Sequence, residues 1–194
     1  MIRALALATL LAATCCAADG TSLLPADPVA ASAAFAFGDH TKRCSATTID
    51  VVGQPFVKAM RVAVVGKPEQ SWQVNRLYIL PQPVAKGDVL ELSCWLRATA
   101  PADAKPAVRL IHQLKDKPWT AAIEHPVAVT GEWKQFRFAW KAVEDWQGGT
   151  HRVAFFLGGA ADQQVEFGPI ELRAHGQGDP AAIAGATVLA APKR

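Results

Sequence analysis

The sequence predicts an all-β domain, a β-sandwich of the jelly-roll kind, and three observations carry that reading. First, after the turn residue Gly131, the stretch Glu132–Trp140 puts Phe136, Phe138 and Trp140 on one parity and Gln135, Arg137 and Ala139 on the other. Side chains alternate faces along a strand, so this stretch has one face for a core and one for solvent. Second, the same two-faced pattern recurs in roughly eight to ten short runs separated by Gly and Pro. Third, no run of convincing helical period and no repeat of fixed length breaks the series. The alternation is strongest over 133–140, which reads as the central strand of the core.

The elements follow in order. Phe35 and Phe37, alternating before Gly38, open the first strand. Residues 46–52 have the β-branched content of a second, closed by Gly53 and Pro55. Residues 56–65 form the next, with Phe56, Met60, Val62 and Val64 sharing a face, and Gly66-Lys67-Pro68 turns the chain into a strand over 72–80. Lys86-Gly87-Asp88 is a turn signal. Beyond it Leu90, Leu92, Cys94 and Leu96 alternate with Glu91, Ser93, Trp95 and Arg97. Strands are expected over 108–114, 123–129, 133–140, 151–157 and 165–172, the second of these at a sheet edge because Pro126 interrupts it. The domain is thus bounded at 35–173, with a small-residue linker or arm over 19–34 and an Ala/Gly/Pro-rich tail over 174–194.

Ahead of the arm, residues 1–18 read as a signal peptide. Arg3 supplies the positive n-region, residues 4–14 an apolar run too short to span a bilayer, and Cys15-Cys16-Ala17-Ala18 the small residues of a cleavage site. Acylation of Cys15 or Cys16 is the competing, lipoprotein reading, and the only one that brings a membrane in. Thr14, bulkier than the usual residue before a lipidated cysteine, ranks it second. The expected location is therefore outside the cytoplasm, secreted or periplasmic. Aliphatic and aromatic residues at 51% against 19% charged suit a folded chain, and a net charge of +3 without any Lys/Arg run argues against nucleic acid as a partner.

Motif chemistry is sparse. The sequence has no phosphate-binding Gly-rich loop, no paired-His zinc helix and no Gly-x-Ser-x-Gly elbow, and its five His are scattered. Glycoside hydrolysis needs only two carboxylates about 5–10 Å apart, so Glu91, Glu132 and Glu166 are the candidates for a small jelly-roll glycosidase. Export makes a Cys44–Cys94 disulfide plausible, while the parity of Cys94 also suits a small buried hydrophobe. The polar parities hold more. Trp95 and Arg97 share one, Arg109 and Gln113 another, Arg137 a third, and Arg152 and Phe156 a fourth. In one sheet, these would set aromatics among planar hydrogen-bonding groups, the combination that holds a sugar by stacking and by donors to its hydroxyls. The alternative is that Arg and Trp merely cover the sheet, Arg stems lying along apolar surface.

Phe56-Val57-Lys58-Ala59-Met60, Trp72, Lys86-Gly87-Asp88 leading to Leu92-Ser93-Cys94-Trp95-Leu96-Arg97-Ala98, Gly131-Glu132-Trp133-Lys134, Phe156-Leu157-Gly158 and Val165-Glu166-Phe167-Gly168-Pro169-Ile170-Glu171-Leu172 occur in the order and spacing of a known family. Over about residues 35–173 the chain resembles carbohydrate-binding modules of families four and nine, which have a galactose-binding-like jelly roll. The resemblance implies a non-catalytic module that holds xylan, β-glucan or a related polysaccharide near a partner glycoside hydrolase. In that family two aromatics sandwich the sugar, and the matching positions are Trp72 and Trp119, the latter in Lys117-Pro118-Trp119. Asn75 matches a polar position beyond the first aromatic, and Phe156 stands where a polar groove residue is common. With Trp95, Arg97 and Gln113 these complete the candidate ligand-binding set. The resemblance also implies a structural calcium held by loop oxygens near the start and end of the domain. A scaffolding or adhesion domain that ignores glycans is the remaining alternative.

Overall fold

The computed structural model describes residues 20–101, 105–160 and 162–192. In chain order the elements are β1 (Thr21–Ser22), α1 (Pro28–Ala34), β2 (Ala36–Asp39), β3 (Ser45–Asp50), β4 (Lys58–Val64), β5 (Val74–Ile79), β6 (Asp88–Thr99), β7 (Arg109–Leu114), β8 (Ala121–Pro126), β9 (Lys134–Lys141), β10 (His151–Phe156), β11 (Gln163–Gln177) and β12 (Thr187–Val188). They form two sheets. One runs β12-β9-β6-β11-β4-β3, with β1 added to β11; the other runs β2-β5-β10-β7-β8. Every pairing is antiparallel except β12 with β9.

The sheets are joined face to face by the apolar parities read from the sequence. Leu90, Leu92, Cys94 and Leu96 of β6 meet Val153, Phe155 and Leu110 of the other sheet in one buried core. β11 needs a correction of parity. Val165 and Phe167 point inward, then a bulge at Gly168-Pro169 shifts the register so that Ile170 and Leu172 point inward as well. Gly168 is required there, because a Cβ would lie 2.7 Å from the Phe56 ring and 2.9 Å from Trp95.

Four expectations change. The stretch 133–140 lies in β9, second from the edge, and the centre of its sheet is the long β6–β11 pair. Its apolar parity marks depth of burial, and an edge-proximal strand covered by the opposite sheet is buried as deeply as a central one. A helix does exist: α1 starts at Pro28, with the Asp27 carboxylate accepting from the Ala30 amide at 2.8 Å. Seven residues make under two turns, too few to display a period. Cys44 and Cys94 are both free, Cys94 buried in the core and Cys44 half-buried beside Thr41. Finally, the segments read as arm and tail pack on the sandwich: Leu23, Leu24 and Ala31 are buried in the first and Leu189 in the second. The signal-peptide expectation lies outside the described residues.

Two polar features sit inside the sandwich. The Arg76 guanidinium, its acidity raised by burial to a pKa of about 10, donates to the Ser32 and Phe35 carbonyls at 2.5 and 3.1 Å and lies 4.9 Å from the Phe167 ring. It thereby ties the α1 segment to β5. A second chain of hydrogen bonds crosses the core: Trp140 Nε1 to His112 Nδ1 at 2.9 Å, His112 Nε2 to His151 Nδ1 at 3.0 Å, and His151 Nε2 to the Gln82 carbonyl at 3.0 Å. Indole N–H only donates, so His112 must accept at Nδ1 and donate from Nε2, and His151 must do the same. Both rings are therefore neutral.

Candidate functional site

The outer face of the five-stranded sheet is set by strand parity. Because β5 buries Val74, Arg76 and the body of Tyr78 inward, it turns Asn75, Leu77 and Ile79 outward. By the same alternation β10 presents Arg152, Ala154 and Phe156, and β7 presents Arg109, Ile111 and Gln113. Register aligns them in three rows across the sheet: Asn75–Phe156–Arg109, Leu77–Ala154–Ile111 and Ile79–Arg152–Gln113. The middle row and Phe156 make a small apolar floor separate from the main core.

Each end of this face carries a tryptophan. Trp72 precedes β5 beside the first row and is 46% exposed; its ring meets His40 edge-on at 5.4 Å. Trp119 lies in the β7–β8 turn beyond the third row and is 50% exposed, with Lys117 Nζ 5.5 Å from its ring centroid. Its φ is +53°, a region that bulky residues avoid. Four residue steps along β5, about 13 Å, separate the outer rows, and the two tryptophans lie beyond them.

Five of the seven candidate residues thus share this face, in different roles. Trp72 and Trp119 are half-exposed. Gln113 is half-buried and its amide makes no hydrogen bond within the described residues. Phe156, 7% exposed, is floor, with the Arg152 guanidinium 6.0 Å from its ring. Asn75 is 4% exposed and donates to the Trp72 carbonyl at 2.9 Å, so it positions the turn that carries Trp72. Its Oδ1 packs over Gly38, where a Cβ would stand 2.8 Å away. Trp95 and Arg97 are not part of this site. They project from the outer face of the other sheet, where Trp95 packs on Phe56 at 5.6 Å and Arg97 pairs with Glu166 and lies 4.9 Å from the Trp133 ring. Parity tells which strand face is polar but not which sheet the strand joins. Arg152, read from the sequence on the same polar parity as Phe156, lies on this face as well. His40 and Ile79 complete the site and were missed as members of it; the parity shared with Asn75 was the available signal for Ile79.

Of the three candidate carboxylates, Glu91 and Glu166 are buried, spent on arginines and too far apart to act as a hydrolytic pair. Glu166 is buried between Arg61, at 2.7 Å, and Arg97. Glu91 is buried too, which raises its pKa, but hydrogen bonds from Arg137 and His175 outweigh burial and hold it below the usual carboxylate range. Glu166 pairs across from Arg97 and Glu91 from Arg173, so six residue steps of β6, about 20 Å, separate them. Glu132 is exposed on its turn. For the calcium expected near the domain's start and end, the described side chains offer little. Asp39 spends both oxygens on Thr41 and Cys44, Asp27 caps α1, and no cluster of three His, Cys, Asp or Glu occurs among the described residues.

Solved structures of the same architecture include one described as family-four carbohydrate-binding-module structure and function, 17% identical with a TM-score of 0.55 over 69% of this chain and 95% of that one. The fold is that of a carbohydrate-binding module. The second N-terminal cellulose-binding domain of Cellulomonas fimi β-1,4-glucanase C is similar at 21% identity and a TM-score of 0.53, over 83% of this chain and 97% of that module. An arabinose-bound α-L-arabinofuranosidase aligns at 15% identity and a TM-score of 0.59 over 80% of this chain, which spans about a quarter (27%) of that enzyme's length. No family model and no curated protein matches the sequence. Among the described residues no helix is long and apolar enough to cross a membrane.

Proposed function

We propose that the chain is an exported, non-catalytic module that holds a polysaccharide, xylan, β-glucan or a similar glycan, on the outer face of its five-stranded sheet. One observation carries this reading: two half-exposed tryptophans stand at opposite ends of a single sheet face whose floor is apolar. A pyranose ring has an apolar C–H face that an indole can cover and a rim of hydroxyls that Gln113 and Arg152 can reach. The carbohydrate-binding-module fold supports the reading, and the likeness to part of an arabinofuranosidase supports a glycoside hydrolase as the partner that the module would serve. Export rests on the signal peptide expected over residues 1–18.

Affinity electrophoresis of the purified chain in gels containing soluble xylan, laminarin or mixed β-glucan tests it. Retardation by at least one polysaccharide is expected, together with a shift in tryptophan fluorescence on titration with its oligosaccharides. No retardation by any of them overturns the proposal, and release of reducing sugar would return the glycosidase alternative.

A further inference from the structure

We propose that the Trp119 end of this face selects acidic saccharides, those whose rings carry a carboxylate. The inference rests on the sugar-binding reading and names the chemical class within it. On the outer face, Arg109 is already neutralised by Glu124 at 2.5 Å. Arg152 is not. Among the described residues its side chain makes no hydrogen bond and no ion pair; Nε is buried without a partner, and the residue is half-buried against Phe156. Asp116 attracts it from beyond contact distance. Lys115 and Lys117 flank Asp116 in the turn that ends at Trp119, so with Arg152 three cations gather at this end.

The geometry suits a uronate. A pyranose stacked on an indole turns its substituents outward in the ring plane, so a carboxylate on the ring leaves at the rim of Trp119. Arg152 lies one strand over, beside Gln113 across the β7–β10 pairing. The ammonium of Lys117, on an exposed and flexible stem, can turn from the indole to the carboxylate. A guanidinium half-withdrawn from water against Phe156 gains more from a charged partner than one in bulk solvent, and its fork matches a planar carboxylate. Gln113 is left for neutral hydroxyls.

The test is fluorescence titration of the full chain with a glucuronate-bearing xylo-oligosaccharide and an oligogalacturonate, each beside its carboxyl-reduced form, and with a sulfated galacto-oligosaccharide. At low salt one uronate is expected to bind at least tenfold tighter than its reduced form, with the ratio shrinking toward one near 0.5 M salt, where the screening length is about 4 Å. Arg152→Gln and Lys117→Gln should each cut that ratio about threefold or more, by weakening the acidic saccharide more than its reduced form. Equal binding of acidic and reduced forms overturns the inference and leaves the sugar-binding face standing. Binding of none of them, with no retardation by neutral glycans, overturns both. Tighter binding of the sulfated saccharide than of either uronate overturns the carboxylate assignment.

Discussion

Trp119 is the residue at which backbone and function pull in different directions. A bulky side chain at φ +53° costs about 1–3 kcal/mol relative to glycine, and an exposed turn offers no core packing in return. Trp119→Gly should therefore leave the melting temperature unchanged or slightly higher, because glycine accepts positive φ. The same change should weaken oligosaccharide binding by roughly 1–2 kcal/mol, or about 5–30-fold, through lost stacking area. Calorimetric melting and fluorescence titration of one variant measure both; normal binding with a lower melting point would move the site away from Trp119. Trp140 is the opposite case. It is fully buried and donates to His112, so Trp140→Ala should cost about 3–5 kcal/mol in a denaturant titration.

Between elements, the hydrogen-bond chain Trp140–His112–His151–Gln82 links β9 of one sheet to β7 and β10 of the other. Burial lowers the pKa of His112 well below its ordinary 6.5, with the neighbouring His151 adding to the effect. Burial also lowers His151, offset in part by the bond to the Gln82 carbonyl. A lowered imidazole pKa means that the unfolded chain binds protons that the folded one refuses. This contribution to stability is full above about pH 6.5 and is lost as pH falls from there toward the folded-state pKa values. Stability should then drop by up to about 1.4 kcal/mol per pH unit for each imidazole. Denaturant titrations between pH 8 and 5 check this, and His112→Gln should flatten the curve. A pH-independent midpoint over that range would show that the pair is not held neutral.

For the whole molecule, the segments on either side of 35–173 contribute to the folded body. Leu23 and Leu24 are buried beside β11, where the Tyr78 hydroxyl donates to the Leu23 carbonyl at 3.1 Å, and Leu189 is buried beside β9. Each buried leucine contributes about 1.5–3 kcal/mol, so trimming the chain to 35–173 should lower stability by several kcal/mol. A melting curve equal to that of the longer chain would mean that these segments only decorate the sandwich. The free thiols make a second test. Iodoacetamide on the native protein should modify Cys44, half-buried at the surface, and spare Cys94, whose thiol is pushed up by complete burial. Peptide mapping that finds the two joined would contradict the separation observed here.

The sequence by itself determined the strands and their inward faces. Alternation over 89–98 and 151–157 and the Gly/Pro punctuation between strands are local signals, and a half-buried strand needs nothing else to reveal itself. Pro126 marked an edge for the same reason: a missing N–H is a property of one residue. Two open tryptophans could also be nominated, one from a turn and one from the start of a strand. Tertiary structure alone decided which strands became neighbours. Pairing register is a contact between distant segments, and it put Arg152 beside Gln113 near Trp119 while sending Trp95 and Arg97, of identical polar parity, to the opposite side of the sandwich. It also decided that the strongly patterned stretch at 133–140 stands near an edge, since the depth of a side chain depends on the sheet that covers it.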